Sequence, residues 1–232
     1  MVNIIKQGQR MKIQEIVDML ISVKGKRKGI DKATKDAIKK NIKDGNFDDI
    51  GRFHIVNIIA RSIAEGMNDN DFFQKEELAV NAFKEAEKLA EDGDDFATLI
   101  EGIMYSETIP NSVEWINSIA EKMMNLDDVT IRELLHAVKE IYSPDNEITS
   151  INREMAVKIL EFALSKVEEE NSAVQLLSIA NEYYYLLDEK ETAVQFIVNA
   201  IKENKLDQVD EIMSNFYYSS AQFKEDVEKA IN

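Results

Sequence analysis

Apolar residues recur along this chain at the spacing of helix faces. Ile13, Ile16, Val17, Leu20 and Ile21 fall at i, i+3, i+4, i+7 and i+8, which predicts a first helix over about residues 12–23. Gly25 and Gly29 interrupt it. A second helix is expected from an Asp31 N-cap through Ile38 and Ile42 to Gly45, and a third over about 49–65, apolar at Ile55, Val56, Ile58, Ile59 and Ile63. The Asn68-Asp69-Asn70-Asp71 cluster reads as a turn whose last residue can cap the next helix. No apolar/polar alternation is long enough to argue for a sheet.

Beyond Phe72 the helices come in loosely repeating pairs. The expected pairs are about 74–91 with 96–106, 112–125 with 130–143, 153–169 with 172–187, and 190–204 with 207–219. Pro110 and Pro144 separate the earlier pairs, and Ser219-x-x-Gln222 has the capping-box pattern for a terminal helix. An alanine sits mid-helix in the first member of each pair, at Ala86, Ala120, Ala163 and Ala200, with spacings of 34, 43 and 37 residues. All seven tyrosines lie near the end of a second member: Tyr105, Tyr142, Tyr183-Tyr184-Tyr185 and Tyr217-Tyr218. A small residue lets helices approach closely, and a recurrent aromatic can fill the same groove between hairpins each time.

With these marks, about Phe72 to Ser220 resembles the α-helical repeat class that contains the tetratricopeptide proteins. It departs from their signature after Trp115, where Ser118 stands in place of Leu, Ile119 in place of Gly and Lys122 in place of Tyr. The resemblance implies an architecture, a stack of helical hairpins, and the class's usual role as a protein-binding scaffold. No ligand-contacting residue maps across.

Composition narrows the picture. Only 2 prolines and 8 glycines punctuate 232 residues, 44% of them apolar and 31% charged, as expected of a folded, largely helical protein. The absence of cysteine removes disulfides, thiolate nucleophiles and cysteine-ligated metal sites. The first residues lack the pattern of a signal peptide, and no apolar run reaches membrane-spanning length, so a cytoplasmic protein without a membrane association is expected. Met11 would serve as a start, which makes residues 1–10 a candidate extension.

Charge divides the chain. Residues 1–45 carry twelve Lys/Arg against five Asp/Glu, whereas the rest carry sixteen against 39, for a net charge of −16. The acidic body would repel nucleic acid and attract basic partners, although acidic residues also serve solubility alone. Residues 1–70 therefore read as a basic N-terminal cap of three helices, and 71–232 as an acidic repeat region of four hairpins and a terminal helix.

Candidate chemistry is sparse. Glu133 and His136 have the Glu-x-x-His spacing of carboxylate-bridged di-metal sites, but such sites use the motif twice and His54 has Gly51 at the matching offset. The acidic turns at Asp69, Asp92 and Asp145 lack the ligand frame of an EF-hand. No nucleophile elbow, phosphate loop or dinucleotide fingerprint is present. Lys24, Lys26, Arg27 and Lys28 form a basic cluster that could meet phosphates, without interleaved aromatics or a recognised nucleic-acid motif. Tyr183, Tyr184, Tyr185, Tyr217 and Tyr218 are candidates for partner contact. Successive residues on a helix turn by about 100°, so at least one of the Tyr183–Tyr185 run should face outward.

The expectation is an all-α, α-solenoid-like stack of helical hairpins acting without catalysis or cofactor, a scaffold or adaptor presenting an acidic, partly aromatic surface to a basic protein. The alternative is nucleic-acid binding through the basic cluster, and a third reading is a helical metalloenzyme using Glu133 and His136.

Overall fold

The computed structural model describes residues 40, 56–57, 60–61, 76–104, 106, 109–144, 152–167, 172–202 and 221–231. Among these the protein is all-helical, with eight α-helices and no strand. They are α1 (Glu76–Leu89), α2 (Gly93–Met104), α3 (Ser112–Met124), α4 (Ile131–Ile141), α5 (Arg153–Ser165), α6 (Ser172–Asn181), α7 (Lys190–Lys202) and α8 (Ala221–Ile231). A single π turn, Glu182–Leu186, continues α6. The chain divides into two compact units, Met1–Met123 and Met124–Asn232. This division falls inside the expected repeat region, whereas the expected junction near residue 70 lies outside the described residues. No helix among the described residues is long and apolar enough to cross a membrane.

In the first unit α1 buries Ala79, Ala82, Phe83 and Ala86, at i, i+3, i+4 and i+7. The chain then turns through Asp92, whose Oδ1 accepts the Asp95 N–H at 2.9 Å, while Asp95 Oδ2 accepts the Glu91 N–H at 3.0 Å. These exchanges satisfy donors left open at the α2 N-terminus. Helix α2 buries Phe96, Leu99, Ile100 and Ile103. It also passes close to helical residues Asn57 and Arg61. A Cβ on Gly102 would stand 2.7 Å from Asn57 Oδ1, 3.1 Å from Phe83 Cε1 and 3.2 Å from Arg61 Cγ, so glycine permits this approach. Asn57 Nδ2 donates to the Thr98 carbonyl at 3.3 Å, and Arg61 pairs with Glu101 at 3.1 Å.

Trp115 joins α3 to α1. Its ring meets Phe83 edge-on at 6.3 Å, its indole N–H donates to Glu87 Oε2 at 2.8 Å, and Lys122 pairs with the other Glu87 oxygen. The glutamate is thus engaged on both oxygens by one helix, through an aromatic donor and a cation.

In the second unit α4 packs on α5, α5 on α6, α6 on α7 and α7 on α8. Helix α4 opens with a capping box: Thr130 Oγ1 accepts the Glu133 N–H, and Glu133 Oε2 accepts the Thr130 N–H at 2.8 Å. Its buried positions Ile131, Leu134, Leu135, Val138 and Ile141 form one stripe. Helix α5 answers with Met155, Ala156, Ile159, Leu160 and Ala163. It ends at Ser165, four residues before the expected limit at Glu169. Lys166 and Val167 tighten the last turn by donating three residues back, to Ala163 and Leu164. The run Glu168-Glu169-Glu170 comes next in the sequence, and carboxylates are unfavourable against the negative end of a helix.

Candidate protein-binding surface

The tyrosine run occupies the π turn that continues α6. Leu187 N–H reaches back five residues to the Glu182 carbonyl, and Glu189 N–H reaches six residues back to Tyr183 at 2.8 Å. The wider turn closes over Asp188, held at φ 56°. Two ion pairs fix it from neighbouring helices: Lys139 of α4 meets Glu182 at 3.0 Å, and Arg153 of α5 meets Glu189. Burial raises the Glu182 pKa above the ordinary carboxylate value, opposed by the Lys139 hydrogen bond and charge.

The three rings point into different surroundings. Tyr183 is buried and meets Phe196 of α7 edge-on at 5.0 Å. Tyr184 is buried too, stacked on Phe223 of α8 at 4.6 Å, and its hydroxyl donates to Asp226 Oδ2 at 2.6 Å. Lys190 lies 5.7 Å from the centre of the same ring. Tyr185 is 47% exposed, with its ring edge-on to Tyr184 at 4.8 Å and to Phe223 at 6.5 Å. The run thus contributes two core residues and one surface ring seated on an aromatic base. Such a ring can contact a partner at low cost in side-chain entropy.

Neither buried phenol can serve as a base near neutrality. Burial raises the Tyr183 pKa to about 12, with the negative charges of Glu161 and Glu189 adding and Arg153 opposing. Burial raises that of Tyr184 as well, reinforced by its hydrogen bond to Asp226. The Asp226 carboxyl is correspondingly lowered, first by the Tyr184 hydroxyl and then by the Gln222 amide, which donates at 3.0 Å. Both phenols are therefore neutral in the fold, and that of Tyr184 is a hydrogen-bond donor.

The other sequence candidates lie elsewhere. Lys24, Lys26, Arg27, Lys28, Tyr217 and Tyr218 are outside the described residues, as is the N-terminal cap apart from residues 40, 56–57 and 60–61. Glu133 serves the α4 capping box, and among the described residues no cluster of three potential metal-ligating side chains occurs. His136 instead lines an open groove of about 540 Å³ between α4 and α6, together with Arg132, Leu135, Lys139, Val174 and Ser178. Sequence reasoning alone does not find this groove. Its one signal is the i, i+4, i+7 spacing of Arg132, His136 and Lys139, which puts three basic side chains on one face of α4. Compared with family models, curated proteins and solved structures, the chain matches none of them.

Proposed function

We propose that the protein is a non-catalytic binding scaffold that presents an acidic, partly aromatic helical surface to a basic protein partner in the cytoplasm. The reading is carried by Tyr185, a half-exposed ring held against Tyr184 and Phe223 in a chain of net charge −16. Asp188 and Asp226 both act on the Tyr184 phenol and so place carboxylates beside this aromatic base. An aromatic anchor with carboxylates around it suits a basic segment, since the ring supplies contact area and the charges supply orientation and approach. A repeat-type stacking of hairpins draws support from Ala86, Ala120, Ala163 and Ala200, all buried in the C-terminal halves of their helices, where a small residue would allow close helix approach.

The test uses the full chain as bait in a native lysate at low and raised salt, with Tyr185→Ala in parallel and mass spectrometry of the retained proteins. The expected result is a small set of basic proteins, released by salt and lost with Tyr185→Ala. Retention that ignores both the salt and the substitution would overturn the proposal.

A further inference from the structure

Helix α6 has a second exposed apolar residue at its opposite end. Val174 is 52% exposed, more than any other large hydrophobic side chain among the described residues, and it lies about 16 Å of helix rise from Tyr185. It forms one wall of the groove shared with α4, alongside Gln175 and Ser178. Ile131 and Leu135, both buried, form the floor. Arg132, His136 and Lys139 form the other wall, with their Cα atoms spread over about 10 Å.

The charge of this groove is opposite to that of the chain. Its nine lining residues include two cations and an imidazole and no carboxylate, although the protein as a whole has 44 Asp/Glu against 28 Lys/Arg. The cations are differently engaged. Lys139 is held at one end by Glu182 at 3.0 Å, whereas Arg132 has no ion-pair partner among the described residues. Ser178 returns its hydroxyl to the Val174 carbonyl at 2.8 Å, and the α6 wall of Val174, Gln175 and Ser178 carries no charged side chain. The carboxylates nearest the groove are already engaged, Glu182 by Lys139 and Glu133 by the Thr130 N–H, which leaves the Arg132 guanidinium as the exposed charge that a ligand lying in the groove would meet.

We infer that the α4–α6 groove docks an acidic amphipathic helix of a partner protein, laying its apolar stripe on Val174 and its carboxylates along Arg132, His136 and Lys139. An open groove lined by residues of two helices suits a helix-in-groove mode, and carboxylates at i, i+4 and i+7 of the guest repeat the spacing of the basic wall. A guanidinium next to exposed apolar surface is the composition expected at the centre of such an interface. This site is separate from the Tyr185 surface and has the opposite preference.

The experiment measures fluorescence anisotropy of a labelled helical peptide of about four turns, with leucines on one stripe and glutamates flanking it, titrated with the full chain. The control peptide carries lysine in place of every glutamate. The glutamate peptide is expected to bind saturably, and Arg132→Glu and Val174→Asp are each expected to weaken it by about tenfold. Both positions are exposed, so the variants should keep the parent circular dichroism and melting temperature. Tyr185→Ala should leave this binding unchanged, which separates failure here from failure of the basic-partner reading. Absence of saturable binding, equal binding of the lysine peptide, or indifference to both groove variants would overturn the inference. Sedimentation showing a dimer that Arg132→Glu dissociates would also overturn it, because the occupant would then be a second copy of this chain.

Discussion

The hydroxyl of Tyr184 donates to Asp226 Oδ2 at 2.6 Å and thereby ties the π turn to α8. Helix α8 has only Phe223 and Val227 buried, so this bond and the Tyr184–Phe223 stack are a large part of its attachment. Tyr184→Phe keeps the stack and removes the bond. Hydrogen exchange should accelerate at α8 amides while α4 and α5 keep their protection. Asp226→Asn, which still offers an acceptor, should have the smaller effect. Because the Asp226 pKa is lowered in the fold, its contribution is present above the ordinary value near pH 4 and is lost as pH falls through the folded value. Tyr184→Phe should therefore flatten the acid limb of a stability–pH curve, and an unchanged limb would count against this bond.

Tyr183 sets the opposite limb. Its pKa is about 12 in the fold against 10.0 ordinarily, so the folded state holds a proton that the unfolded chain releases first. The contribution of the neutral phenol is complete below pH 10 and is lost as pH rises through about 12. Urea denaturation at stepped alkaline pH should show a falling midpoint, and Tyr183→Phe should reduce the fall while leaving neutral-pH stability nearly unchanged. Tyr184 is shifted in the same direction, so the double Phe variant should reduce it further.

How much of the fold is legible in the sequence depends on what each residue's position requires. The helices are readable because a 3.6-residue apolar period leaves a local mark, whereas Ala163 and Ala200, expected mid-helix, fall near the ends of α5 and α7, and α5 stops earlier than the pattern predicts. The outward-facing tyrosine follows from helix geometry alone. The π turn does not, and the residues that engage it, Lys139, Arg153 and Asp226, lie far away in sequence. The exposure of Val174 is not legible either, because periodicity says which face is apolar but not whether a neighbouring helix covers it. Thr130-x-x-Glu133 carries the local pattern of a capping box, yet the Glu-x-x-His spacing shares Glu133 and competes for the same residue.

That box predicts a measurable loss. Thr130→Ala removes the acceptor for the Glu133 N–H at the start of α4, and a lost N-cap of this kind costs about 1 kcal/mol. Chemical denaturation should show a lowered midpoint with an unchanged slope. Thr130→Ser, which retains the hydroxyl, should recover most of the loss. Equal stability of the Ala and Ser variants would show that the cap contributes nothing.

Gly102 tests the close approach in the first unit. Glycine inside a helix is ordinarily worse than alanine by up to about 1 kcal/mol, so Gly102→Ala would stabilise an isolated α2. Here the new methyl would stand 2.7 Å from Asn57 Oδ1, in a side chain that is itself buried and held by Thr98. Overpacking of this sort costs about 1–3 kcal/mol, so the net effect should be a loss of roughly 1 kcal/mol. Asn57 Oδ1 has no hydrogen-bond partner among the described residues, which makes it the group to remove. Asn57→Ala should be destabilising alone yet nearly neutral in the Gly102→Ala background. Simple additivity of the two changes would mean that the methyl meets some other obstacle.

Asp188 offers a gain of stability. It closes the π turn at φ 56°, a left-handed conformation that costs a residue with a Cβ and that glycine adopts freely. Its carboxylate is largely exposed and meets Lys190 at 3.3 Å, an ion pair of the kind that contributes little in water. Asp188→Gly removes the backbone strain and that weak pair, and against this stands the greater freedom of glycine in the unfolded chain. Relief of strain outweighs both losses, so the variant should gain about 0.5 kcal/mol. Asp188→Ala loses the same pair and keeps the Cβ, so it should fall below the parent. The order Gly, parent, Ala in denaturation midpoint would assign the effect to backbone conformation, whereas equal loss in both variants would assign it to the carboxylate.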